Sequence, residues 1–240
     1  MLESRACPIV RRMPMPSPPL PLVQRVGFIT SQCRGQSVLH LGCTNFPYTA
    51  QVLASGTLLH AQIQAVASRV VGFDADAEGL AELGRLGIGD LYQADLERLD
   101  EVALDETFDV IVAGEIIEHL ANPGLFLAGV RRFMRPTSRL VVTTVNAYCG
   151  LRFALYAVRG RGGVQEPVHP DHVAYYSYAT LRRLLEGHGF RVDEQCFYDL
   201  GHEHRPHNPW YHNATNDLLV MLSTQLADGV IAVCGLSPPA

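Results

Sequence analysis

Short apolar runs alternate with segments of helical periodicity along most of this chain. Seven runs have the length of a strand, and between them leucine, isoleucine or valine recurs at the spacing of a helix that buries one face. The predicted strands are residues 37–41, 70–73, 90–93, 108–113, 140–144, 190–198 and 229–234. The predicted helices are residues 57–68, 78–86, 122 to about 134, 177–189 and 217–226.

Alternation of strands and helices predicts an α/β fold with a doubly wound, mostly parallel seven-stranded sheet and helices on both faces. The last two strands are expected to form an antiparallel pair, which places an antiparallel strand at one edge. Asn122 followed by Pro123 is typical of a helix N-cap with proline in the first turn, and Ser177 is a second N-cap.

Two segments depart from this rhythm. Residues 8–21 are rich in proline, so we predict that residues 1–34 form an N-terminal arm with a leading helix, and that residues 35–240 form the main domain. Residues 145–178 interrupt the alternation and contain Gly160, Gly162, Gly163, His169 and His172. We expect this insertion to cover a substrate site above the strand ends.

Composition limits the function classes. The net charge of −5 and the lack of a basic stripe argue against a nucleic-acid partner. No apolar run has the roughly 20 residues that cross a membrane, and the N-terminal segment lacks the apolar core of a signal peptide. Six cysteines without a C-x-x-C pair are expected to be reduced thiols in a cytoplasmic protein.

Carboxylates and a histidine follow the strand at residues 108–113. We expect a short helix there, on which Glu115, Glu118 and His119 would share one face because they lie at positions i, i+3 and i+4. Open α/β sheets bind ligands beyond the carboxyl ends of their strands. The sequence therefore predicts a ligand site at this turn.

A glycine loop and two acidic residues belong to the same predicted site. Gly42 follows the first strand and permits close approach of a ligand, but the loop is not the G-x-G-x-x-G of a dinucleotide site. Asp74 ends the second strand, where a carboxylate accepts hydrogen bonds from ribose hydroxyls. Asp95 follows the third strand and is predicted to accept from an adenine amine.

In this order and spacing, these features resemble the class I S-adenosylmethionine-dependent methyltransferases over roughly residues 35–235. The resemblance implies a Rossmann-like fold with S-adenosylmethionine as cofactor. Residues 39–44 match the first motif of the family, except that His40 replaces an acid and Thr44 replaces a glycine, which requires a negative φ at Thr44. The implied cofactor contacts are Leu41, Gly42, Cys43, Thr44, Asp74, Ala75, Asp95, Leu96, Gly114 and Glu115.

The E-x-x-E-H motif is similar to that of ubiquinone-pathway O-methyltransferases and leaves three interpretations open. In the first, Glu115 lies near the methionine end of the cofactor while Glu118 and His119 are structural. In the second, His119 is a general base. The third interpretation comes from a further resemblance, to small-RNA 2′-O-methyltransferases. In it, a divalent metal ion that activates a hydroxyl is bound by Glu115, Glu118, His119 and His172. His119 and His172 are the candidate catalytic residues.

These residues predict methyl transfer to a small-molecule acceptor, as an O-methyltransferase acting on a hydroxylated metabolite or sugar. The polar and aromatic residues expected over the site are His169, His172, Tyr175, Tyr176, Trp210 and Tyr211. Two alternatives stay open: a metal-dependent RNA 2′-O-methyltransferase, and a catalytically inactive cofactor-binding partner subunit. We expect no membrane partner, and keep a homodimer open.

Overall fold

Eight strands form one mixed sheet in the computed structural model, which describes residues 20–46, 48–159, 171–199, 201 and 205–238. They are β1 Leu22–Val23, β2 Ser37–Leu41, β3 Arg69–Asp74, β4 Leu91–Gln93, β5 Phe108–Gly114, β6 Met134–Val145, β7 Phe190–Tyr198 and β8 Gly229–Leu236. Their order is β1-β7-β8-β6-β5-β2-β3-β4. β8 is antiparallel to β6 and β7, and the other neighbours are parallel. The predicted fold class is confirmed.

Helices cover both faces of this sheet. They are α1 Arg25–Cys33, α2 Thr49–Ala54, α3 Leu59–Gln64, α4 Ala77–Arg85, α5 Pro123–Val130, α6 Gly150–Arg159, α7 Tyr178–Gly187 and α8 Trp210–Leu222. Successive strand residues point to opposite faces. Leu39 and Leu41 of β2 pack in the core cluster that includes α5 and α7, whereas Val38 packs with Ile29 of α1 and Ile63 of α3.

The strand that periodicity did not reveal is β1. It has two residues, and Leu22 and Val23 pair with Phe197 and Tyr198 of β7. This pairing makes β1 the edge strand in place of β7. The antiparallel β8 lies between β7 and β6, inside the sheet and not at its edge. Two residues are too few to show an alternating pattern, and only the parallel pairing identifies this strand.

Helix starts agree with the predicted caps, whereas several helix lengths differ. The Asn122 side chain accepts a hydrogen bond from the Leu125 N–H at 3.3 Å. α5 ends at Val130 because a 3₁₀ turn leads into β6 at Met134. The predicted helix at residues 217–226 begins earlier, at Trp210.

None of the helices in the described part of the chain is long and apolar enough to cross a membrane. The domain boundary at residues 34 and 35 stays a prediction.

Replacing Ser177 with alanine should lower the free energy of unfolding by about 1 kcal/mol. The Ser177 side chain accepts from the Thr180 N–H at 3.2 Å, and the Thr180 side chain accepts from the Ser177 N–H at 2.8 Å, so the substitution removes half of a capping box. Urea unfolding measures the change. Ser31→Ala is the matched control, because its exposed hydroxyl bonds only to the Phe28 carbonyl within α1. Equal unfolding midpoints for Ser177→Ala and the wild type would contradict the capping role.

Candidate active site

The loop after β2 is tied to the end of β3. The N–H groups of Gly42 and Cys43 both donate to the carbonyl of Phe73, at 2.8 and 3.2 Å. Gly42 has φ 72°, and a Cβ there would overlap the side chain of Ile116. Glycine is therefore required at Gly42 for both backbone conformation and space.

Asp74 locks this loop in place. Its carboxylate accepts from the Thr44 N–H at 2.8 Å and from the Asp76 N–H at 3.0 Å. Thr44 does not have a positive φ, as the sequence requires of a residue with a side chain at this position. It therefore fits the loop without the strain of a left-handed conformation. Each carboxylate oxygen has a second lone pair, so Asp74 can hold the loop and still accept from a ribose hydroxyl.

The remaining predicted adenosine contacts lie beside Asp74. The Ala94 N–H donates to the Asp74 carbonyl at 2.8 Å, and the Gln93 side chain donates to the Ala75 carbonyl at 3.3 Å. Asp95 follows directly and accepts from the Glu97 N–H at 2.9 Å, and Leu96 is buried. The structure thus brings Asp74, Ala75, Asp95 and Leu96 to one edge of the sheet.

His40, which stands where the family has an acid, pairs with a second histidine. His40 and His60 are buried, their Nδ1 atoms are 3.2 Å apart and their rings are stacked. Burial lowers the pKa of His60 to about 4, and burial and then the nearby His60 lower the pKa of His40 well below 6.5. Both rings are therefore neutral at pH 7, with one Nδ1 donating to the other.

Glu115 lies on an irregular turn, and the predicted short helix is wrong. Glu115 has φ 55°, in the left-handed region, and residues 117–119 form a turn in which the His119 N–H donates to the Ile116 carbonyl at 2.9 Å. A right-handed helix cannot continue through such a residue. Glu115 and His119 are partly exposed whereas Glu118 is fully buried, so the three do not share one helix face.

Arg25 of α1 is a site residue that sequence reasoning missed. Its Nη2 lies 3.7 Å from Glu115 Oε2, and its Nε donates to Thr143 Oγ1 at 3.2 Å. A Cβ on Gly114 would be 3.1 Å from the same guanidinium. Arg25 precedes β2 by a whole helix, and the sequence has no spacing signal that assigns it to the end of β5. Packing of α1 on the sheet places it there.

Glu118 is buried at the other side of this turn. Burial, and secondarily the charge of Glu115, raise the pKa of Glu118 to about 7. Thr144 and the backbone of Val145 lie near enough to oppose this shift, but neither carboxylate oxygen has a hydrogen bond of normal geometry. The Thr144 hydroxyl is likewise buried without a bond. Glu118 therefore holds a proton more tightly than an exposed glutamate does.

The end of the predicted cover packs directly on the turn. The N–H groups of Val173 and Ala174 donate to the Glu118 carbonyl at 2.9 and 3.1 Å, and the Ala147 N–H donates to the Tyr176 carbonyl at 2.9 Å. These bonds bring His172 next to His119, with ring centroids 4.6 Å apart and planes at 82°. His169 lies outside the described residues.

The four predicted metal ligands are not gathered around one point. The Glu115 carboxylate contacts Tyr198 and Arg25, while the Glu118 carboxylate is enclosed in the protein. Among the residues that the structure describes, no group of three or more His, Cys, Asp or Glu side chains is arranged to hold a metal ion. The geometry therefore does not support a metal site at Glu115, Glu118, His119 and His172.

Trp210 and Tyr211 lie at the start of α8. Trp210 is 79% exposed and Tyr211 is 53% exposed, and the two rings meet edge to face. Their predicted contact with an acceptor stays a prediction.

Residues 19–195 match the model of a family described as a methyltransferase domain, which is more than half of the chain. The chain belongs to this family. The predicted membership of the S-adenosylmethionine-dependent methyltransferases is thereby confirmed.

Two relatives of this methyltransferase domain agree with the family. A probable S-adenosylmethionine-dependent methyltransferase of Mycolicibacterium smegmatis is 29% identical over 167 residues, which cover 69% of this chain and 56% of that protein. A ubiquinone biosynthesis O-methyltransferase of Bradyrhizobium diazoefficiens is 25% identical over 167 residues, which cover 63% and 66% of the two chains. The matched region thus spans about half to two thirds of these relatives.

A solved structure shares the fold of the domain. Magnesium protoporphyrin IX methyltransferase from Synechocystis PCC 6803, with bound S-adenosylhomocysteine (SAH), has a TM-score of 0.52 and 16% identity, covering 89% of this chain and 82% of that one. At this identity the likeness is one of fold.

Glu118 should make the stability of the methyltransferase domain depend on pH. The pKa of Glu118 is about 7 when folded and 4.5 in its ordinary state, so its protonated form stabilises the protein below pH 4.5, and this contribution is lost as the pH rises to 7. Glu118→Gln is neutral at every pH. It should gain stability relative to the wild type across this range by about 3 kcal/mol.

Urea unfolding between pH 4.5 and 8 measures this gain. The exposed Glu186→Gln is the control and should show no comparable trend. A pH-independent difference between Glu118→Gln and the wild type would contradict the raised pKa.

Proposed function

We propose that this domain transfers a methyl group from S-adenosylmethionine to a hydroxyl oxygen of a small molecule. The observation that carries the proposal is the line of groups at one edge of the sheet. The loop at Gly42 and the carboxylate of Asp74 suit an adenosine, while Arg25 and Glu115 present opposite charges within 3.7 Å of each other. Opposite charges suit the zwitterionic amino-acid end of the cofactor.

When it is bound, S-adenosylmethionine supplies a methyl group that is electrophilic because it is attached to a positively charged sulfur. The residues of the chain need only align the acceptor with this group and accept the hydroxyl proton. His119 and Glu118 are proton acceptors on the turn, and His172 lies against His119. We keep His119 and His172 as the proposed catalytic residues, since the side chain of Glu118 is fully buried.

A hydroxylated small molecule is the acceptor class that the surroundings favour. The segment from His172 to Tyr176 adds imidazole and phenol groups beside the turn, and the relative from Bradyrhizobium diazoefficiens is named as an O-methyltransferase. The acidic net charge of −5 disfavours RNA. Among the described residues, no group of three or more His, Cys, Asp or Glu side chains is arranged to hold a metal ion. A metal-dependent reaction on RNA is therefore the weaker alternative.

The test combines binding with product analysis. SAH is titrated calorimetrically into the purified chain, and labelled S-adenosylmethionine is then incubated with a panel of hydroxylated aromatic compounds and sugars, with and without a chelator. We expect SAH binding and a methoxy product identified by mass spectrometry, with turnover unaffected by the chelator. Binding without turnover on any acceptor would favour an inactive partner subunit. A methylated nitrogen or carbon would refute O-methylation.

Replacing Asp74 with alanine should weaken SAH binding by about 10- to 100-fold. The change removes an acceptor for ribose hydroxyls, and bonds to a charged group are each worth about 1.5–3 kcal/mol. It also removes the bond to the Thr44 N–H, so the glycine loop keeps only its backbone bonds to the Phe73 carbonyl at the end of β3. Calorimetric titration measures the affinity. Asp105→Ala, an exposed carboxylate before β5, is the control, and affinity retained by Asp74→Ala would refute the ribose assignment.

A further inference from the structure

Tyr198, at the end of β7, joins the part of the sheet formed by β7 and β8 to the candidate cofactor site at the end of β5. It is 2% exposed, and its hydroxyl donates to Glu115 Oε1 at 2.6 Å. Burial, and then the charge of Glu115, raise the pKa of Tyr198 well above 10, so the hydroxyl keeps its proton and acts as the donor. The bond joins residues that are 83 positions apart in the chain.

The position of the Tyr198 ring depends on Gly229. These residues are cross-strand neighbours in the antiparallel pair of β7 and β8. A Cβ on Gly229 would overlap the ring and hydroxyl of Tyr198. A glycine inside a strand weakens the strand unless another group uses the space that it leaves. Here the phenol uses that space to reach Glu115.

Glu115 needs external support because its backbone is strained. A φ of 55° is rare for a residue with a side chain and strains the backbone. Its N–H donates to the Thr143 carbonyl at 2.9 Å, and its two carboxylate oxygens face different partners: Oε1 accepts from Tyr198, while Oε2 lies 3.7 Å from Arg25. Two partners on two oxygens fix the plane of the carboxylate.

The guanidinium of Arg25 also lies 5.9 Å from the centre of the Tyr198 ring. The phenol thus contacts both charged groups of the site. About a third of the Glu115 side chain remains exposed, so the carboxylate can meet a ligand at the edge of the sheet. A carboxylate oxygen has more than one lone pair and can accept from an ammonium group in addition to its protein partner.

We propose that Tyr198 is a positioning residue that orients Glu115 toward the α-amino group of the cofactor. The proposal rests on the proposed function, since it assumes that S-adenosylmethionine occupies this site. In this proposal Tyr198 acts through the carboxylate of Glu115, to which its hydroxyl donates, and not by contacting the cofactor itself. Its effect should therefore be confined to ligands that carry the amino-acid moiety.

Two probes separate this role from general structural support. SAH carries the amino-acid end, whereas 5′-methylthioadenosine has the same adenosine and thioether but lacks that end. Tyr198→Phe keeps the ring over Gly229 and removes only the hydroxyl. In calorimetric titrations we expect Tyr198→Phe to weaken SAH about 5- to 10-fold, and to change the affinity for 5′-methylthioadenosine by less than about twofold.

A second variant tests the route through the carboxylate. Glu115→Gln should show the same selective loss for SAH, and the double variant should bind SAH no more weakly than Glu115→Gln alone, because the two residues act as one unit. Tyr178→Phe is the matched control, since that hydroxyl bonds to the Gln195 carbonyl away from the site, and both affinities should stay unchanged. Asp74→Ala should weaken both ligands, since both contain the ribose.

The outcomes are distinct. Equal weakening of both ligands by Tyr198→Phe would mean general structural support, and no change in either would mean no role; both results overturn the proposal. Additive losses in the double variant would also overturn it. A wild-type chain that binds neither ligand would refute the proposed function itself and the inference with it. A thermal melt of each variant confirms that the fold is retained.

Discussion

Parallel pairing of β2 with β3 on one side and β5 on the other is the constraint on which the site depends. Leu41 lies in register with Phe73 and with Ala113, so three distant segments leave the sheet at the same edge. The Phe73 carbonyl then accepts from both Gly42 and Cys43, and the next residue, Asp74, accepts from the loop again. The edge becomes a rigid row of backbone and carboxylate groups before any ligand is present.

A second consequence of this register is that charge is concentrated at the end of β5. Glu115 emerges beside Arg25, which belongs to a helix that precedes the first central strand. Both side chains are largely buried, so solvent and salt screen their attraction less than that of a surface ion pair. Tyr198 adds a neutral donor from β7, and the strained conformation of Glu115 is retained because its backbone and side chain are both bonded. A strained backbone conformation that is held by several surrounding bonds is common at functional sites.

Burial shifts the polar groups beneath the site toward their neutral forms. His40 replaces the acid of the family motif, and His60 of α3 provides a hydrogen-bond partner for its buried Nδ1. Glu118 is enclosed near Thr144 under the segment that carries His172, and its pKa of about 7 keeps it protonated, and therefore uncharged, below that pH. The substitution at His40 is therefore accommodated by a matched neighbour, and the loop at Gly42 keeps its geometry.

The sequence by itself determined the α/β fold, most strand bounds, the caps at Asn122 and Ser177, and the order of Gly42, Asp74 and Asp95, because periodicity and capping are local and parallel strands share one ligand edge. The tertiary structure alone decided the rest. β1 exists only as a partner of β7, and the E-x-x-E-H segment is a turn because Glu115 is held in the left-handed region. Within the described residues, the four predicted metal ligands form no group arranged to hold a metal ion. Arg25 and Tyr198 reach Glu115 across 90 and 83 positions of sequence, and contacts at such separation depend on the packing of whole elements, which no local pattern encodes.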